Sequence, residues 1–234
     1  TNHENGGILM RKIGLMVIIG VVMCAQPSFA AGADNYWSLK LGCFLPNEDR
    51  DGLKDYDTTA GIGVTFGHEF TREVAIEFGG EYYSTELKTS EPYYGDDFFD
   101  SDTGDPISGL TVTHDNDVTV WAIPITAKFQ FPLSNELTGF FGAGIGFYNA
   151  RFEADETFRA PGYAPFYGGS FSDTGSCVGY HVVAGVDLAV SRNMAVGMEV
   201  KWSAAEMDFE EDGYEAVDMN VGGTTVNLAA KVYF

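Results

Sequence analysis

"IPITAKFQFPLSNELTGFFGAGIGFYNARF" (123–152) contains two apolar runs of period two on either side of a short polar connection, "LSNE" (133–136). In the first run the odd positions are apolar, whereas Lys128 and Gln130 occupy even positions. Because successive side chains of a β-strand point to opposite faces, this period is typical of strands rather than helices. Two such strands with a short connection predict an antiparallel hairpin.

The same pattern of period two recurs along the chain. No segment after the first thirty residues shows sustained helical periodicity. The runs are rich in Val, Ile, Phe, Tyr and Gly, which favours strands. We therefore predict an all-β fold with eight strands. They cover about 36–46, 58–70, 73–88, 117–132, 137–153, 175–190, 194–208 and 221–234.

The connections between these strands alternate in length. The first, third, fifth and seventh are long, whereas the second ("TR", 71–72), the fourth (133–136) and the sixth ("SRN", 191–193) are short. In an up-and-down meander, alternate connections lie at opposite ends of the sheet. One smooth end and one end with long loops are typical of an eight-stranded antiparallel up-and-down transmembrane β-barrel.

The two faces of the predicted strands differ in chemistry. One face carries large apolar side chains, such as those of Trp37, Phe78, Trp121 and Leu228, and has no Lys, Arg, Asp or Glu between its ends. The other face carries Gly, Ala, Ser and Thr together with charged residues. The charged residues assigned to the barrel lumen are Lys40, Glu69, Glu77, Glu81, Lys128, Asp187, Glu199, Lys201 and Lys231.

Two barrels fit this division: a soluble, lipocalin-like barrel with its apolar face inside, and a membrane barrel with its apolar face outside. Aromatic residues concentrate at the strand ends, as in the girdles of membrane barrels. From Trp121 to Phe131 a tilted strand spans roughly 25 Å along the membrane normal, the height of such an apolar band. Gly142, Gly144 and Gly146 share the polar face, where a narrow lumen needs space. These features favour the membrane barrel.

The charges on the lumen face nearly cancel, with four lysines and five carboxylates. A narrow barrel keeps unpaired charges away from bulk water only at high cost. We therefore hypothesise that these side chains form an internal network of salt bridges and hydrogen bonds. The alternative is that some of them lie at the barrel ends and are hydrated.

The N-terminal region has the features of an export signal. Arg11 and Lys12 precede the apolar run 13–23, and small residues follow at 27–34. The run is shorter than the roughly 20 residues of a spanning helix. We predict translation from Met10, cleavage after Ala30, upstream residues plus a signal peptide at 1–30, and one barrel domain at 31–234. Cys24 raises the alternative of a lipoprotein, but the bulky residue before it does not suit lipid attachment.

The chain is strongly acidic, with a formal net charge of -21. This charge argues against nucleic-acid binding, which requires Lys and Arg. The segments 47–57, 89–117, 154–174 and 206–218 hold 23 acidic residues and three basic ones, so the predicted long loops carry nearly all of the negative charge.

Several stretches resemble a known family. They are "GIGVTFGHEFTREVAIEFGGEYY" (61–83), the opening stretch (123–152), "VVAGVDLAVSRNMAVGMEVKW" (182–202) and the terminal "KVYF" (231–234). They are similar to the small OmpA/opacity-type outer-membrane β-barrels, which include OmpW-like proteins. The resemblance implies location in the outer membrane of a Gram-negative bacterium and contact with outer-membrane lipid and lipopolysaccharide. It also implies that the assembly machinery reads a terminal signal formed by Leu228, Val232 and Phe234. The peptidoglycan-binding domain of full-length OmpA is not expected, because the sequence stops at its last strand.

An acidic segment, "DDFFDSDTGD" (96–105), is a candidate for a loosely bound Ca²⁺, because carboxylate oxygens are the ligands that Ca²⁺ prefers. The EF-hand pattern is not met. The simpler interpretation is a solvated acidic loop, and no other cofactor is expected. The candidate ligands are Asp96, Asp97, Asp100, Asp102 and Asp105.

The remaining reactive residues do not form a recognisable motif. His114 has Asp115 and Asp117 beside it but no adjacent serine, so we predict no enzyme activity. Cys43 and Cys177 fall on opposite faces of non-adjacent strands, and we expect them not to form a disulfide.

Three functional hypotheses follow. The first is a monomeric outer-membrane barrel with acidic extracellular loops and a structural or surface-interaction role. The second is an OmpW-like channel for small apolar molecules, and the third is an enzyme that modifies lipid A.

Overall fold

The computed structural model describes residues 35–46, 53, 56–93, 109–162, 166–209 and 217–234. Ten β-strands lie in this part of the chain, and no helix there is long and apolar enough to cross a membrane. The strands are β1 (Asn35–Pro46), β2 (Thr59–Glu69), β3 (Val74–Pro92), β4 (Thr111–Pro132), β5 (Leu137–Arg159), β6 (Phe166–Ser191), β7 (Met194–Ala204), β8 (Glu206–Phe209), β9 (Val217–Asn220) and β10 (Gly223–Tyr233).

Eight of these strands form a closed barrel in the order β1-β10-β7-β6-β5-β4-β3-β2. Every neighbouring pair is antiparallel, and β1 closes the ring by pairing with both β2 and β10. The predicted eight-stranded antiparallel barrel is thus confirmed. Closure leaves no unpaired strand edge within the ring, as a barrel in lipid requires.

The apolar face points outward. Trp121 is 58% exposed, Ile145 59% and Leu228 67%, whereas the charged side chains of the opposite face are buried in the lumen. A soluble protein rarely exposes a continuous apolar surface of this size. The lipocalin-like alternative, with its apolar face inside, is therefore excluded.

Two of the short turns share one construction. In the turn 70–73 the Thr71 hydroxyl accepts hydrogen bonds from the backbone N–H groups of Glu73 and Val74, both at 3.1 Å. In the turn 133–136 the Ser134 hydroxyl accepts from Glu136 N–H at 3.3 Å and from the N–H of the next residue at 3.1 Å. A hydroxyl that bonds backbone two and three residues ahead holds the chain in a turn without glycine.

Four barrel strands are longer than the sequence predicted. β3, β4, β5 and β6 continue as a paired sheet far beyond the end of β2, whose pairing with β3 stops at Gly61 and Tyr83. We call the part of β3–β6 beyond this level the sheet extension. The predicted strands include only the first part of this extension, because the residues beyond 88, 153 and before 117 and 175 were assigned to long connections.

The predicted strand 194–208 is interrupted. β7 ends at Ala204, and β8 and β9 form a separate two-stranded hairpin. Ala205 N–H donates to the side-chain oxygen of Asn220 at 3.1 Å, and Val221 N–H donates to Ala205 O at 2.9 Å. These bonds bring the two ends of the hairpin together, so the hairpin lies in the seventh connection, and β10 begins at Gly223.

Candidate functional site

Four charged side chains form the centre of a cluster in the lumen. Lys40 Nζ lies 3.3 Å from Glu77 Oε2 and 2.8 Å from Glu199 Oε1. Lys128 Nζ lies 2.9 Å from Glu77 Oε2 and 2.6 Å from Glu199 Oε2. Each lysine thus contacts both glutamates, and the four residues come from β1, β3, β4 and β7. Their inward direction follows from the alternation of side chains along each strand.

The cluster extends through two further ion pairs and a phenol. Lys231 Nζ lies 2.6 Å from Asp187 Oδ2 and 3.9 Å from Glu77 Oε1. The Tyr36 hydroxyl donates to Glu77 Oε1 at 2.8 Å. We call the six ions and Tyr36 together the lumen network. Its three lysines and three carboxylates balance in formal charge.

The other predicted lumen residues lie outside this network. Lys201 and Glu81 form a separate ion pair between β7 and β3. Glu69, at the periplasmic end of β2, accepts a hydrogen bond from the Gln130 side chain at 3.4 Å. The nine residues assigned to the lumen are therefore placed in three groups rather than in one.

Aromatic rings pack against the lumen network, although they were not among the residues predicted to line the lumen. Lys128 Nζ lies 4.2 Å from the centroid of the Phe140 ring, and Lys231 Nζ lies 4.9 Å from that of Tyr36. Glycines make room for these rings, because a Cβ built at Gly67 would lie 2.1 Å from the Tyr36 ring and one at Gly185 would lie 2.5 Å from Phe140. Cations over aromatic faces are stabilised by the ring quadrupole.

A pattern in the sequence predicts that Tyr36 and Phe140 face the lumen. Tyr36 and Phe140 each stand beside a lipid-facing aromatic, Trp37 and Phe141. In a strand, two adjacent aromatics must point to opposite faces, so one member of each pair enters the lumen.

The half of the lumen nearer the long connections is apolar. Phe44 and Tyr83 stack with their ring centroids 3.8 Å apart, and Tyr148 joins the same buried cluster. The β8–β9 hairpin and its flanks cover these rings with the buried side chains of Met207, Phe209, Met219 and Val221. We call this cluster the apolar plug.

One buried hydrogen bond connects the plug to the hairpin, since the Tyr83 hydroxyl donates to Val221 O at 2.6 Å.

Five buried side-chain atoms have no hydrogen-bond partner within the described ranges. They are Ser38 Oγ, Thr65 Oγ1, Tyr148 Oη, His181 Nδ1 and Asp187 Oδ1.

The sheet extension carries a row of like charges on its outer surface. Glu86, Asp117 and Glu153 are direct register partners on β3, β4 and β5. Partial burial has the largest effect on the pKa of Asp117 and raises it. The neighbouring carboxylates of Asp115, Glu86 and Glu153 raise it further. Its hydrogen bond to Asp115 raises the pKa of Lys88 on the same surface.

His114 is separated from the acidic residues beside it in sequence. Its ring lies on the inner surface of the sheet extension, with Nδ1 3.2 Å from Glu156 Oε1 and Nε2 3.7 Å from Glu91 Oε1. Asp115 pairs with Lys88 on the outer surface. The grouping of His114 with Asp115 that the sequence suggested is therefore not formed.

The other predicted sites are placed as follows. Among the described residues, no group of three or more His, Cys, Asp or Glu side chains is arranged to hold a metal ion. The candidate calcium ligands between 96 and 105 and the predicted signal peptide fall outside those residues. Cys43 and Cys177 are free thiols. Leu228 and Val232 lie on β10, and Phe234 follows the last residue of that strand.

A family comparison agrees with this architecture. The model of the outer membrane protein beta-barrel domain matches residues 16–234. The chain belongs to this family. The protein is accordingly an outer-membrane barrel of a Gram-negative bacterium, as the resemblance implied. No curated protein sequence matches the chain significantly.

The chain is similar to solved outer-membrane proteins at low sequence identity. OprG from Pseudomonas aeruginosa is 11% identical, with a TM-score of 0.54 over 86% of this chain and 96% of OprG. Outer membrane protein W of Escherichia coli is 14% identical, with a TM-score of 0.41 over 88% of this chain and 100% of that one. The Yersinia pestis attachment invasion locus protein Ail is 16% identical, with a TM-score of 0.42 over 86% and 99%.

Proposed function

We propose that this barrel is a closed structural scaffold that presents an acidic surface outside the cell, rather than an open pore. The supporting observation is that side chains fill both halves of the lumen. The lysines of the lumen network are at most 4% exposed, and the rings of Phe44 and Tyr148 in the apolar plug at most 1%. An open aqueous channel would leave such groups accessible to water.

The extracellular end supports the surface-interaction part of the proposal. The segments that were predicted as long loops carry 23 acidic and three basic residues. Carboxylates at that density favour cationic partners, including the divalent cations that bridge phosphorylated lipid headgroups. The apolar outer face contacts the lipid of the membrane, and within the closed ring of a monomer each strand pairs with two neighbours.

Planar-bilayer recordings with the purified full chain test the closed lumen. We expect conductance at the level of protein-free bilayers, with a known open porin as the positive control. Reproducible single-channel steps from the chain would contradict the proposal.

A second candidate is passage of small apolar molecules, and the apolar extracellular half of the lumen favours it. Uptake of radiolabelled naphthalene into proteoliposomes, compared with protein-free liposomes, distinguishes this function from the first. Uptake above the control, in the absence of ion conductance, would support apolar transport.

The third candidate, modification of lipid A, has a direct test. Mass spectrometry of lipid A from cells with and without the chain would reveal a gained or lost acyl or polar group. We expect identical spectra, because His114 lies between two glutamates and not beside a serine.

A further inference from the structure

His181 is a buried histidine that the lumen network does not use. It lies on β6, is 1% exposed, and shares a 2.8 Å hydrogen bond between its Nε2 and the Thr126 hydroxyl. Its Nδ1 is also buried and has no partner among the described residues. A neutral imidazole has one N–H donor and one acceptor nitrogen, so Nδ1 needs a partner in either tautomer.

A second unpaired group points toward the level of this histidine. Tyr148 lies on β5, and its ring runs over Gly146 and Gly179, because a Cβ built at either glycine would lie 2.9 Å from ring atom Cε2. These glycines are register partners, and the next row toward the periplasm pairs Gly144 with His181. The Tyr148 hydroxyl is buried and has no hydrogen-bond partner of acceptable geometry.

A third polar group completes the surroundings. Ser203 on β7 is the register partner of His181. The Ser203 hydroxyl is electrostatically coupled to the Tyr148 phenol. The other bonds of this hydroxyl are long, at 3.3 Å to Gly223 O and 3.4 Å from Gly223 N–H. Ser203 can therefore bind an additional partner.

We propose that the lumen contains a specific binding site for one water molecule, formed by His181 Nδ1 and the hydroxyls of Tyr148 and Ser203. Buried waters in proteins make about three hydrogen bonds to polar groups that otherwise lack partners, and this set supplies three. The site lies where the apolar plug meets the polar interior, so the water satisfies groups that neither region satisfies alone. The site is independent of whether the barrel is a scaffold or a transporter.

The test uses the full chain folded in deuterated detergent micelles with isotope-labelled histidine. Water-selective NMR cross-relaxation should give a signal of a long-lived water at the His181 ring. Tyr148→Phe should abolish this signal. Tyr83→Phe is the matched control and should retain it, because the Tyr83 hydroxyl already donates to a backbone carbonyl.

Absence of the signal in the unmodified chain would overturn the site. So would a signal that persists unchanged in either Tyr148→Phe or Ser203→Ala. Thermal unfolding gives an independent readout, since deletion of a hydroxyl that has no partner at all stabilises a protein. A higher Tm for Tyr148→Phe than for the unmodified chain would show that the hydroxyl is simply unpaired, and would also overturn the site.

Discussion

Lys128 illustrates how single residues hold the lumen closed. Its ammonium lies between Glu77 and Glu199 and over the face of Phe140, and it is 3% exposed. Buried ion pairs gain little over apolar packing, but removal of one partner leaves the opposite charge uncompensated. Replacement of such a residue therefore destabilises the fold mainly because the opposite charge stays buried without a partner.

We expect Lys128→Met to destabilise the folded barrel by about 3–5 kcal/mol, because the lumen network then holds three carboxylates and only two lysines. Thermal unfolding in detergent micelles measures the effect. Lys88→Met is the matched control, since Lys88 pairs with Asp115 at an exposed position and its loss should change the Tm little. Equal Tm values for the two variants would contradict a stabilising lumen network.

Asp117 provides a pH-dependent prediction. Its pKa is raised in the folded protein, so the folded state binds the proton more tightly than the unfolded state and stability falls as the pH rises through the raised pKa. We expect Asp117→Asn to raise the Tm at neutral pH. The gain should vanish below the ordinary aspartate pKa of about 3.9, where both states are protonated. An unchanged Tm of Asp117→Asn at neutral pH would contradict the raised pKa of Asp117.

At the scale of elements, two structures close the lumen, the β8–β9 hairpin and the lumen network. Its side chains cover the extracellular mouth, whereas the lumen network lies nearer the periplasm. The ends of the hairpin are adjacent, since Val221 N–H bonds to Ala205 O at 2.9 Å. The hairpin can therefore be removed without stretching the barrel strands.

We expect a variant in which residues 206–221 are replaced by Asn-Gly to fold into the barrel with a lowered Tm, because apolar rings such as Phe44 lose their cover. Its bilayer conductance should remain at background, because the lumen network still fills the barrel. Conductance that appears only in this variant would show that the hairpin alone closes the lumen.

The tip of the sheet extension is a second element with its own small core. Phe158 packs edge-on against Tyr93, with ring centroids 5.4 Å apart, and both join a cluster with Leu110 and Val112. We expect Phe158→Ala to increase protease cleavage at the tip and to leave the Tm of the barrel nearly unchanged, since regions with few buried contacts open independently. Phe140→Ala, inside the barrel, should instead lower the Tm. A large Tm loss in Phe158→Ala would show that tip and barrel unfold together.

At the scale of the whole molecule, we expect assembly into the outer membrane of cells to depend on a terminal signal that refolding in detergent does not need. The terminal strand β10 closes the barrel against β1, and Phe234 follows it directly. We expect Phe234→Ala to reduce the amount of folded chain in the outer membrane of cells while leaving refolding in detergent unchanged, because the proposed signal is read by the assembly machinery. Heat-modifiable migration on gels measures both quantities. Phe131→Ala, another lipid-facing aromatic, is the control, and equal losses in the two variants would contradict a terminal signal.

Alternation of apolar and polar residues and of long and short connections was enough to predict the barrel, its strand number and its outward apolar face. These features depend on local chemistry, since each residue faces either lipid or lumen according to its parity. The strand pattern also assigned a set of charged residues to the lumen face by their parity.

Only the tertiary structure decided how those residues combine. Lys40, Glu77 and Glu199 are up to 159 positions apart, and their contacts depend on the register of eight strands. The sheet extension likewise depends on the pairing of β3, β4, β5 and β6, and the place of the hairpin depends on its packing against the rings of the apolar plug. Period-two alternation determines the face of a side chain, but only closure of the ring determines which side chain it meets across the lumen.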